Sequence, residues 1–411
     1  MAKKREPIDS NMPLEDAIKL LETIERQFGI SNDISPIMKI KTNLLPVDYI
    51  FGEGIATKSI IEIVGKAGSG KSTIASIIAN AITCTTGKKT YYMDFERTLD
   101  PEWLLLNGVD ITKLDEQGLF KIVQLDGSEA IQFIDKTVRT GAVGCVIIDS
   151  LPMMVFNEEQ NKEKITDPQI GTKARNQTLL FGLIQSMQKD VDTVFIIINQ
   201  YRNKITAFGG YQTSAGPIAK EHAKSYAIEI DIKNKSEVLI TDNNKKTVGV
   251  RSDIKCTKNK HGRPYMSGLI HIFFPPELDD TVNNLSAEEL ISKLEELQNK
   301  PKGMDFEYNN AYFLVSNGFI EKKGSYYYVK EQGLQGFDAL VSYLKKNPEC
   351  YATLIEEFWA NEDTKHISRI QEVVDKHKAL VEIEKLKITE AVESTADTEV
   401  VAEVGNAIVT E

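Results

Sequence analysis

The stretch IIEIVGKAGSGKSTIASIIANA, residues 60–81, joins an apolar β-branched run to an apolar helical run through a glycine-rich turn. β-Branched residues favour a strand, and the turn from Gly65 to Ser72 has the phosphate-binding pattern G-x4-G-K-S. Glycines let successive backbone N–H groups point at a phosphate, and the helix that follows adds its positive N-terminal end. Because of this strand–turn–helix context, the sequence predicts a nucleotide-binding unit rather than a chance glycine-rich turn.

The glycine-rich turn also supplies the candidate ligands of the nucleotide and its metal ion. In this motif the lysine, Lys71, reaches the β- and γ-phosphates, and the hydroxyl of Ser72 holds Mg²⁺. The predicted cofactor-binding residues of the turn are Gly65, Lys66, Ala67, Gly68, Ser69, Gly70, Lys71, Ser72 and Thr73. ATP and Mg²⁺ are therefore the expected cofactors.

Acidic and amide side chains end further apolar runs and are candidates to complete the reaction centre. Asp149 ends the run in GCVIIDS and would complete the magnesium shell together with Ser72. Asp94 and Glu96, in YYMDFERTLD, could each accept a proton from an attacking water. Gln200 ends TVFIIINQ, where a neutral amide could sense the γ-phosphate. Ligands of open α/β sheets bind beyond the carboxyl ends of the strands, which is where these side chains are expected.

Apolar strand-like runs alternate with helical or mixed segments through the first half of the chain. They lie at residues 59–64, 90–95, 120–125, 143–149 and 193–199. This alternation predicts an α/β fold with a mostly parallel central sheet that is covered on both faces. Closely spaced runs then follow at residues 227–234, 237–241, 247–255 and 268–274. We expect these runs to add antiparallel strands to the sheet.

Length and composition limit the class of protein. The 411 residues suffice for two or three domains, and 41% hydrophobic with 27% charged residues is typical of a globular chain. No apolar run approaches the ~20 residues that span a bilayer, and the first residues lack the apolar segment of a secretory signal. The four cysteines are scattered, which argues against a zinc site and favours a reducing compartment. We therefore expect a cytoplasmic protein without a membrane partner.

The net charge of −11 argues against a surface that is basic all over, although a local groove could still bind nucleic acid. Residues 201–224 offer such a groove directly after Gln200, because basic and aromatic residues alternate there as in single-strand binders. The candidates for phosphate contacts are Arg202, Lys204, Lys220 and Lys224, those for insertion between bases are Tyr201, Phe208 and Tyr211, and those for mobility are Gly209 and Gly210. A surface loop without this role is the plainer alternative.

The order of these motifs resembles the bacterial RecA recombinases and their phage-encoded relatives, over residues 41–358. In that family the strand after the phosphate-binding turn leads to the catalytic glutamate, so DFERTLDPEWLLLNGVD implies that Glu96 is the general base. The resemblance also implies that Asp100 and Trp103 lie around the adenine, with Trp where the family commonly has Tyr. VIIDS is similar to the magnesium-site strand, and INQYR is similar to the strand that opens the second DNA-binding loop.

The resemblance implies further site residues. A first DNA-binding loop falls at residues 156–167, and the following IGTKAR implies a DNA contact at Arg175. In the second loop the implied DNA-binding residues are Arg202, Lys204, Phe208, Gly209, Gly210 and Tyr211. KCTKNKHGRPY resembles a motif whose two lysines, here Lys258 and Lys260, reach the ATP of the adjacent subunit and make hydrolysis depend on assembly. The predicted catalytic set is therefore Lys71, Glu96, Gln200, Lys258 and Lys260.

We divide the chain into five regions. Residues 1–40 hold an amphipathic helix whose periodicity favours packing on its own domain, whereas the resemblance implies docking on the next protomer. The apolar stripe of this helix consists of Leu14, Ile18, Leu21, Ile24 and Phe28. The remaining regions are a RecA-like ATPase core with its DNA-binding loops at 41–275, a polar linker or insertion at 276–303, a small α+β C-terminal domain at 304–360, and a charged helix with an acidic, disordered tail at 361–411.

The resemblance implies an ATP-dependent DNA recombinase. Such a protein would form a homo-oligomeric helical filament on single-stranded DNA, with ATP and Mg²⁺ between subunits, and would pair that strand with homologous double-stranded DNA in recombinational repair. Single-strand-binding and mediator proteins are further expected partners. Two alternatives are a RecA-like hexameric helicase, which would share the turn, Glu96 and Asp149 but not the paired lysines, and a regulatory ATPase that binds no DNA.

Overall fold

The computed structural model describes residues 13–28, 37–156, 171–206, 209–232, 239–241, 246–275, 286, 288–292 and 300–362. The elements up to the last strand of the large sheet are α1 (Leu14–Gln27), β1 (Lys39–Ile40), α2 (Leu45–Phe51), β2 (Ile55–Ala56), β3 (Ile60–Gly65), α3 (Lys71–Thr86), β4 (Lys89–Asp94), α4 (Pro101–Leu106), α5 (Ile111–Glu116), β5 (Phe120–Val123), α6 (Gly127–Val138), β6 (Val143–Asp149), α7 (Thr172–Met187), β7 (Val194–Asn199), β8 (Tyr201–Thr206), β9 (Gly209–Ser214), α8 (Ile218–Ala223), β10 (Tyr226–Asp231), β11 (Leu239–Thr241), β12 (Thr247–Asn259) and β13 (Met266–Phe273). The elements after them are α9 (Phe306–Ser316), β14 (Glu321–Lys323), β15 (Tyr326–Val329), β16 (Gln332–Gln335) and α10 (Phe337–Lys346).

A nine-stranded sheet organises the larger part of the molecule, in the order β11-β12-β10-β3-β7-β6-β4-β5, with β13 paired to β12. The pairs from β10 across to β5 are parallel, and the pairs that β12 makes with β10, β11 and β13 are antiparallel. The predicted α/β fold, a mostly parallel sheet with antiparallel additions, is confirmed. β3 lies near the centre, with a parallel partner on each side, and all of its residues are buried.

The two faces of the sheet pack into separate apolar layers. On one face Ile61 and Ile63 of β3 join Ile74 and Ile78 of α3 in a cluster of buried side chains. On the other face Ile60 belongs to the cluster formed with helices α6 and α7. Side chains alternate between the faces of a strand, so β3 contributes to both layers and is buried along its whole length.

The helix α1 does not pack on its own domain. None of its residues is buried, and the ends of its apolar stripe, Leu14 and Phe28, are 76% and 75% exposed. The prediction from periodicity, that the stripe covers the helix's own domain, is therefore wrong for the residues that the structure describes. An amphipathic helix that leaves its apolar face open needs another surface to cover it.

The segment after β7, expected as a loop, forms a hairpin at its start. Strands β8 and β9 pair antiparallel from Tyr201 opposite Ser214 to Thr206 opposite Gly209. The base of the hairpin is closed because the backbone N–H of Ala215 donates to the carbonyl of Gln200 at 3.2 Å. Gly209 therefore begins a strand, and the mobility that we expected of Gly209 and Gly210 stays a prediction. Phe208 lies outside the described residues.

The part of the chain from α9 onward has a second apolar core. Leu314, Leu340 and Phe358 lie in one cluster of buried side chains, and β14, β15 and β16 form an antiparallel sheet beside it. Leu45 of α2 belongs to the same cluster, so this core continues into the larger body. The predicted tail, residues 361–411, lies outside the described residues beyond position 362, as does most of the predicted linker at 276–303.

Two neighbouring asparagines of α9 hold this second part against the first. Asn309 accepts a hydrogen bond from the His271 N–H at 2.7 Å and donates to the His271 carbonyl at 2.9 Å. Asn310 accepts from the Leu45 N–H at 2.7 Å and donates to the carbonyl of Asn43 at 2.8 Å. Since buried backbone groups are costly when left unpaired, these bonds fix the small domain in place.

Strand β3 ends at a position where only glycine fits. A Cβ on Gly65 would lie 2.2 Å from the carbonyl oxygen of Ile230 in the adjacent strand. We expect Gly65→Ala to lower the free energy of unfolding by ~1–3 kcal/mol, because backbone must move to relieve the overlap. Gly182→Ala is the matched control, since α7 offers that Cβ open space and the substitution should add ~0.5–1 kcal/mol. Urea denaturation measures both, and a Gly65→Ala protein as stable as the original would contradict the prediction.

The buried His271 gives stability a pH dependence. Burial lowers its pKa from 6.5 to about 4, so between these values the unfolded chain binds a proton that the folded protein does not. The free energy of unfolding should therefore fall as the pH decreases from about 6.5 to about 4, by on the order of 3 kcal/mol over the window.

His271→Gln should remove this part of the pH slope. The exposed His222→Gln is the control and should keep it. Urea denaturation at pH 7, 6 and 5 tests the difference, and equal slopes in the original protein and His271→Gln would count against the assignment.

Candidate nucleotide-binding site

The glycine-rich turn joins β3 to α3. At two of its positions the backbone has a conformation that only glycine adopts without strain. Gly68 has φ +73° and Gly70 has φ +93°, both in the left-handed region. The carbonyl of Lys66 accepts hydrogen bonds from the Ser69 hydroxyl at 2.8 Å and from the Lys71 ammonium at 2.7 Å. The turn is thus already curled around its own lysine, as a phosphate cradle at a helix N-terminus requires.

Asp149, at the carboxyl end of β6, lies beside the first turn of α3. The Ser72 hydroxyl donates to Asp149 Oδ2 at 2.8 Å, and the Tyr92 hydroxyl donates to the same oxygen at 2.5 Å. Burial raises the pKa of Asp149, and the nearby carboxylates of Glu96 and Asp94 raise it further, against the two hydrogen bonds. A hydroxyl and a carboxylate oxygen in a negatively charged recess form a donor set that fits Mg²⁺. The sequence analysis did not identify Tyr92, because an aromatic residue in a strand is expected to pack in the core like its apolar neighbours.

The structure separates the two carboxylates that were both candidates for the general base. Asp94 is buried, where it accepts hydrogen bonds from the Arg97 N–H at 2.7 Å and from the Gln124 amide at 3.3 Å. Its role is to hold the turn after β4. Glu96 has different partners, which are described next, and its role as the general base stays a prediction.

Glu96 is held from two sides. Its Oε1 accepts a hydrogen bond from the Ser150 hydroxyl at 2.5 Å and a longer one from the Gln200 amide at 3.4 Å. Burial lowers the pKa of the neighbouring Lys71, while the carboxylates of Asp149 and Glu96 oppose that change. The structure thus brings Lys71, Glu96 and Gln200 together at one edge of the sheet. Ser150 was missed, although its position directly after Asp149 was a usable signal.

A cavity of about 310 Å³ opens beside the turn on the side of α4. Trp103 lies on its wall, and its indole N–H donates to the Thr73 hydroxyl at 3.2 Å. The lining residues are Gly68, Gly70, Lys71, Ser72, Thr73, Trp103, Val250, Ile272 and Phe274. An aromatic face with apolar neighbours beside a phosphate cradle is the chemistry that a nucleotide base requires.

Asp100 is not part of this wall. Its side chain is exposed, and its Oδ1 accepts a hydrogen bond from the Glu102 N–H at 2.9 Å at the start of α4. Val250, Ile272 and Phe274 come from β12, β13 and the residue that follows β13, and the sequence analysis did not connect them with the site. These residues reach the turn because β12 and β13 are joined to the parallel strands by antiparallel pairing.

Lys258 and Lys260 lie away from the turn of their own chain. Lys258 of β12 is paired with Ala227 of β10, and Ala227 is paired with Glu62 of β3. Glu62 lies three residues before Gly65, where the turn begins, so Lys258 lies about 10 Å from the turn along the strand direction. The Lys258 ammonium donates to the carbonyl of Glu221 at 2.5 Å, and that of Lys260 to the carbonyl of His222 at 3.0 Å. Within one chain these lysines hold the end of α8 and do not join Lys71.

Lys220 and Lys224 were expected to contact nucleic-acid phosphates, and this expectation is wrong. Both are buried, and each lies 2.6 Å from an oxygen of the Glu62 carboxylate. Burial opposes ionisation of Glu62, but the two ammonium groups outweigh it and hold the pKa of this carboxyl below its usual range. The sequence signal was a single glutamate in the otherwise apolar strand β3, which needs buried cations as partners.

The predicted DNA-binding residues lie on two elements. Arg175 is exposed in the first turns of α7, and Arg202 is exposed in β8. Lys204, Gly209, Gly210 and Tyr211 lie on the strands of the hairpin. Phe208 and residues 157–170, which include almost all of the predicted first loop, lie outside the described residues. Among the residues that the structure does describe, no helix is long and apolar enough to span a bilayer.

A phosphate-binding turn, an acid at the end of the parallel strand next but one to it, and a second carboxylate at the same sheet edge define a P-loop nucleoside triphosphatase. A family model described as the RecA N-terminal domain matches residues 16–278. The chain belongs to the RecA family, and this membership supports an ATPase activity and a RecA recombinase function.

Relatives in other organisms match most of the chain. Protein RecA of Chlamydia trachomatis is 31% identical over 359 residues, which cover 84% of this chain and 90% of the relative. Protein RecA of Malacoplasma penetrans is 28% identical over 351 residues, covering 83% and 95%. The crystal structure of a KaiC-like protein of Pyrococcus horikoshii aligns with a TM-score of 0.43 at 16% identity, over 58% of this chain and 100% of that one. A likeness of that degree assigns neither fold nor activity.

The two tryptophans of the chain allow a direct test of the base-binding wall. Trp103 lines the cavity, whereas Trp359 lies in the second apolar core. Trp103→Ala should weaken ATP binding by ~5–150-fold, the equivalent of ~1–3 kcal/mol of base stacking. Adding ATP should change the tryptophan fluorescence of Trp359→Phe and leave that of Trp103→Phe unchanged. The reverse pattern would remove Trp103 from the site.

Proposed function

We propose that this chain is a DNA-dependent ATPase that forms helical filaments on single-stranded DNA and exchanges strands with a homologous duplex. The observation that carries the proposal is the contact between Glu96 and Gln200. Gln200 is the last residue before the hairpin β8–β9, so the candidate general base touches the segment that we assign to DNA binding. A change in the hairpin therefore has a short route to the reaction centre.

Within the reaction, Glu96 accepts the proton of the attacking water, and its carboxylate is positioned for this by Ser150 and Gln200. Lys71 places a positive charge at the phosphates from the curled turn. Ser72 and Asp149 would hold Mg²⁺, which when bound neutralises charge on the phosphate oxygens. Trp103 fixes the base, so that the triphosphate has one orientation along the turn.

Lys258 and Lys260 fit a role in a neighbouring protomer. Lys258 lies in β12, about 10 Å before the turn along the strands, and Lys260 directly follows that strand. Their ammonium groups bond to carbonyls of α8. Lysines placed in this way could meet the phosphates of an adjacent chain if the chains associate head to tail. A head-to-tail contact that does not close into a ring produces an open filament. The exposed apolar stripe of α1 is suited to the same association.

The DNA-binding surface that we propose consists of the hairpin and the start of α7. Its residues are Arg175, Arg202, Lys204, Phe208, Gly209, Gly210 and Tyr211. Cations on such a surface neutralise phosphates, and aromatic side chains provide faces on which bases stack. The domain division at residues 41–275, 276–303, 304–360 and 361–411 is part of the same proposal, with the acidic tail repelling duplex DNA.

ATP hydrolysis with and without single-stranded DNA, over a range of protein concentrations, tests this function. We expect strong stimulation by DNA that rises cooperatively with protein concentration, because the reaction centre is completed by assembly.

Glu96→Gln should keep ATP and DNA binding and lower turnover by ~10²–10⁴-fold, since it removes the general base. ATP turnover that is the same with and without DNA would favour a regulatory ATPase. Unwinding of a forked duplex without a homologous strand would favour a helicase.

A further inference from the structure

A buried ion cluster lies between the reaction centre and the hairpin. It consists of Glu62 in β3, Asn199 at the end of β7, and Lys220 and Lys224 in and directly after α8, and we call it the Glu62 cluster. Glu62 is 1% exposed, Lys220 1%, Lys224 6% and Asn199 0%. The function described so far uses none of these side chains, and a strand of this sheet could be built from apolar residues alone.

Stability does not explain the cluster. A buried ion pair loses hydration that its own attraction only roughly recovers, and apolar residues of similar volume are often at least as stabilising. Here one carboxylate is surrounded by two ammonium groups, and the half-exposed Glu221 supplies the second negative charge at 2.7 Å from Lys224. What such a cluster provides is geometry, because charged hydrogen bonds are short and directional.

One side of the cluster ends at the hairpin. The Asn199 amide donates to Glu62 at 2.8 Å and to the carbonyl of Ala215 at 2.6 Å. The Lys220 ammonium donates to the same carbonyl at 2.8 Å and to the Ser214 hydroxyl at 2.5 Å. Ser214 and Ala215 are the last residue of β9 and the residue after it, so the returning strand of the hairpin is connected to Glu62 through Asn199 and Lys220.

The same side reaches the candidate catalytic residues. The side-chain oxygen of Asn199 accepts a hydrogen bond from the backbone N–H of Gln200 at 2.9 Å. The Gln200 carbonyl in turn accepts from the N–H of Ala215, and its side chain donates to Glu96 at 3.4 Å. The position of Gln200 relative to Glu96 is therefore set by the residue that Glu62 holds.

The other side of the cluster ends at the paired lysines. The helix α8 runs from the hairpin end past Glu62, and it presents Lys220 and Lys224 one turn apart to the same carboxylate. Its last carbonyls, those of Glu221 and His222, accept the hydrogen bonds of Lys258 and Lys260. A shift of α8 along β3 would thus move Lys258 and Lys260 together with the hairpin.

We propose that Glu62 is a positioning residue that couples the hairpin to ATP hydrolysis, by fixing α8 and Asn199 on the strand that carries the phosphate-binding turn. The inference rests on the proposed function, because the coupled event is occupation of the hairpin by single-stranded DNA. Glu62 touches neither nucleotide nor DNA in this scheme. It sets the distance from Gln200 to Glu96 and the position of Lys258 and Lys260.

The test uses the full chain with Glu62→Gln, which keeps the shape and removes the charge. ATP affinity should change by less than ~3-fold, and so should DNA-free turnover. DNA-stimulated kcat should fall by ~10–100-fold, since a misplacement of about 1 Å in a reaction centre costs up to ~10²-fold. Stimulation within ~2-fold of the original protein would overturn the inference.

A second variant guards against simple loss of folding, because Glu62→Gln leaves two buried cations with the half-exposed Glu221 as their remaining counter-charge. Glu62→Leu combined with Lys220→Met replaces the pair by apolar groups, which are often neutral for stability. This double variant should unfold near the temperature of the original protein and still lose the stimulation. If it is stimulated like the original protein, the cluster does not position the site.

A matched control separates coupling from stability. Asp48 is also a buried carboxylate, 1% exposed, and it accepts hydrogen bonds from Thr42 and Asn43 far from the hairpin. Asp48→Asn should lower the unfolding temperature and leave the ratio of stimulated to basal turnover intact.

An original protein that DNA does not stimulate would contradict the proposed function itself, whereas stimulation of both original and Glu62 variants would contradict only the role of Glu62.

Discussion

The parallel pairing of β3 with β7 on one side and β10 on the other brings the centre of the candidate site together. Parallel strands end at the same edge of a sheet, so the turn after β3, the amide after β7 and the acid that ends β6 meet without any long connection. The constraint is strict at Gly65, where the backbone of β10 leaves no room for a side chain. Helices on both faces keep this edge fixed.

The site concentrates charge at the carboxyl edge of the sheet, where Asp149 is buried and Lys71 and Glu96 are partly buried. Burial and the neighbouring carboxylates raise the pKa of Asp149, while burial lowers the pKa of Lys71. Each of these groups is therefore poised to gain from an opposite charge that a nucleotide with its cation would bring.

Much of the fold and part of the site could be predicted from the sequence. The turn at residues 65–72 was accessible because its signal is local, with a strand before it and a helix after it. Asp149 and Gln200 were accessible for the same reason, since each ends an apolar run. The alternation of such runs was enough to predict the parallel sheet and its antiparallel additions.

The errors come from contacts between distant parts of the chain. Lys220 and Lys224 carry no local sign that they meet Glu62, which is 158 and 162 residues away. The exposed side of α1 could not be told from a buried one, because periodicity gives the face of a helix and not the surface that covers it. The wall formed by Val250, Ile272 and Phe274 depends on how β12 and β13 fold back on the sheet.

The two asparagines of α9 have a consequence for how the molecule can move. Asn309 and Asn310 bond the backbone of β13 and the segment around α2, so the small domain is fastened at two separate places. Swinging it aside would break these four hydrogen bonds and would expose to water the apolar cluster that Leu45 shares with Leu314 and Leu340. The part of the chain from α9 onward is thus bound to the body that carries the glycine-rich turn, and a movement between the two would have to break the contacts in both places.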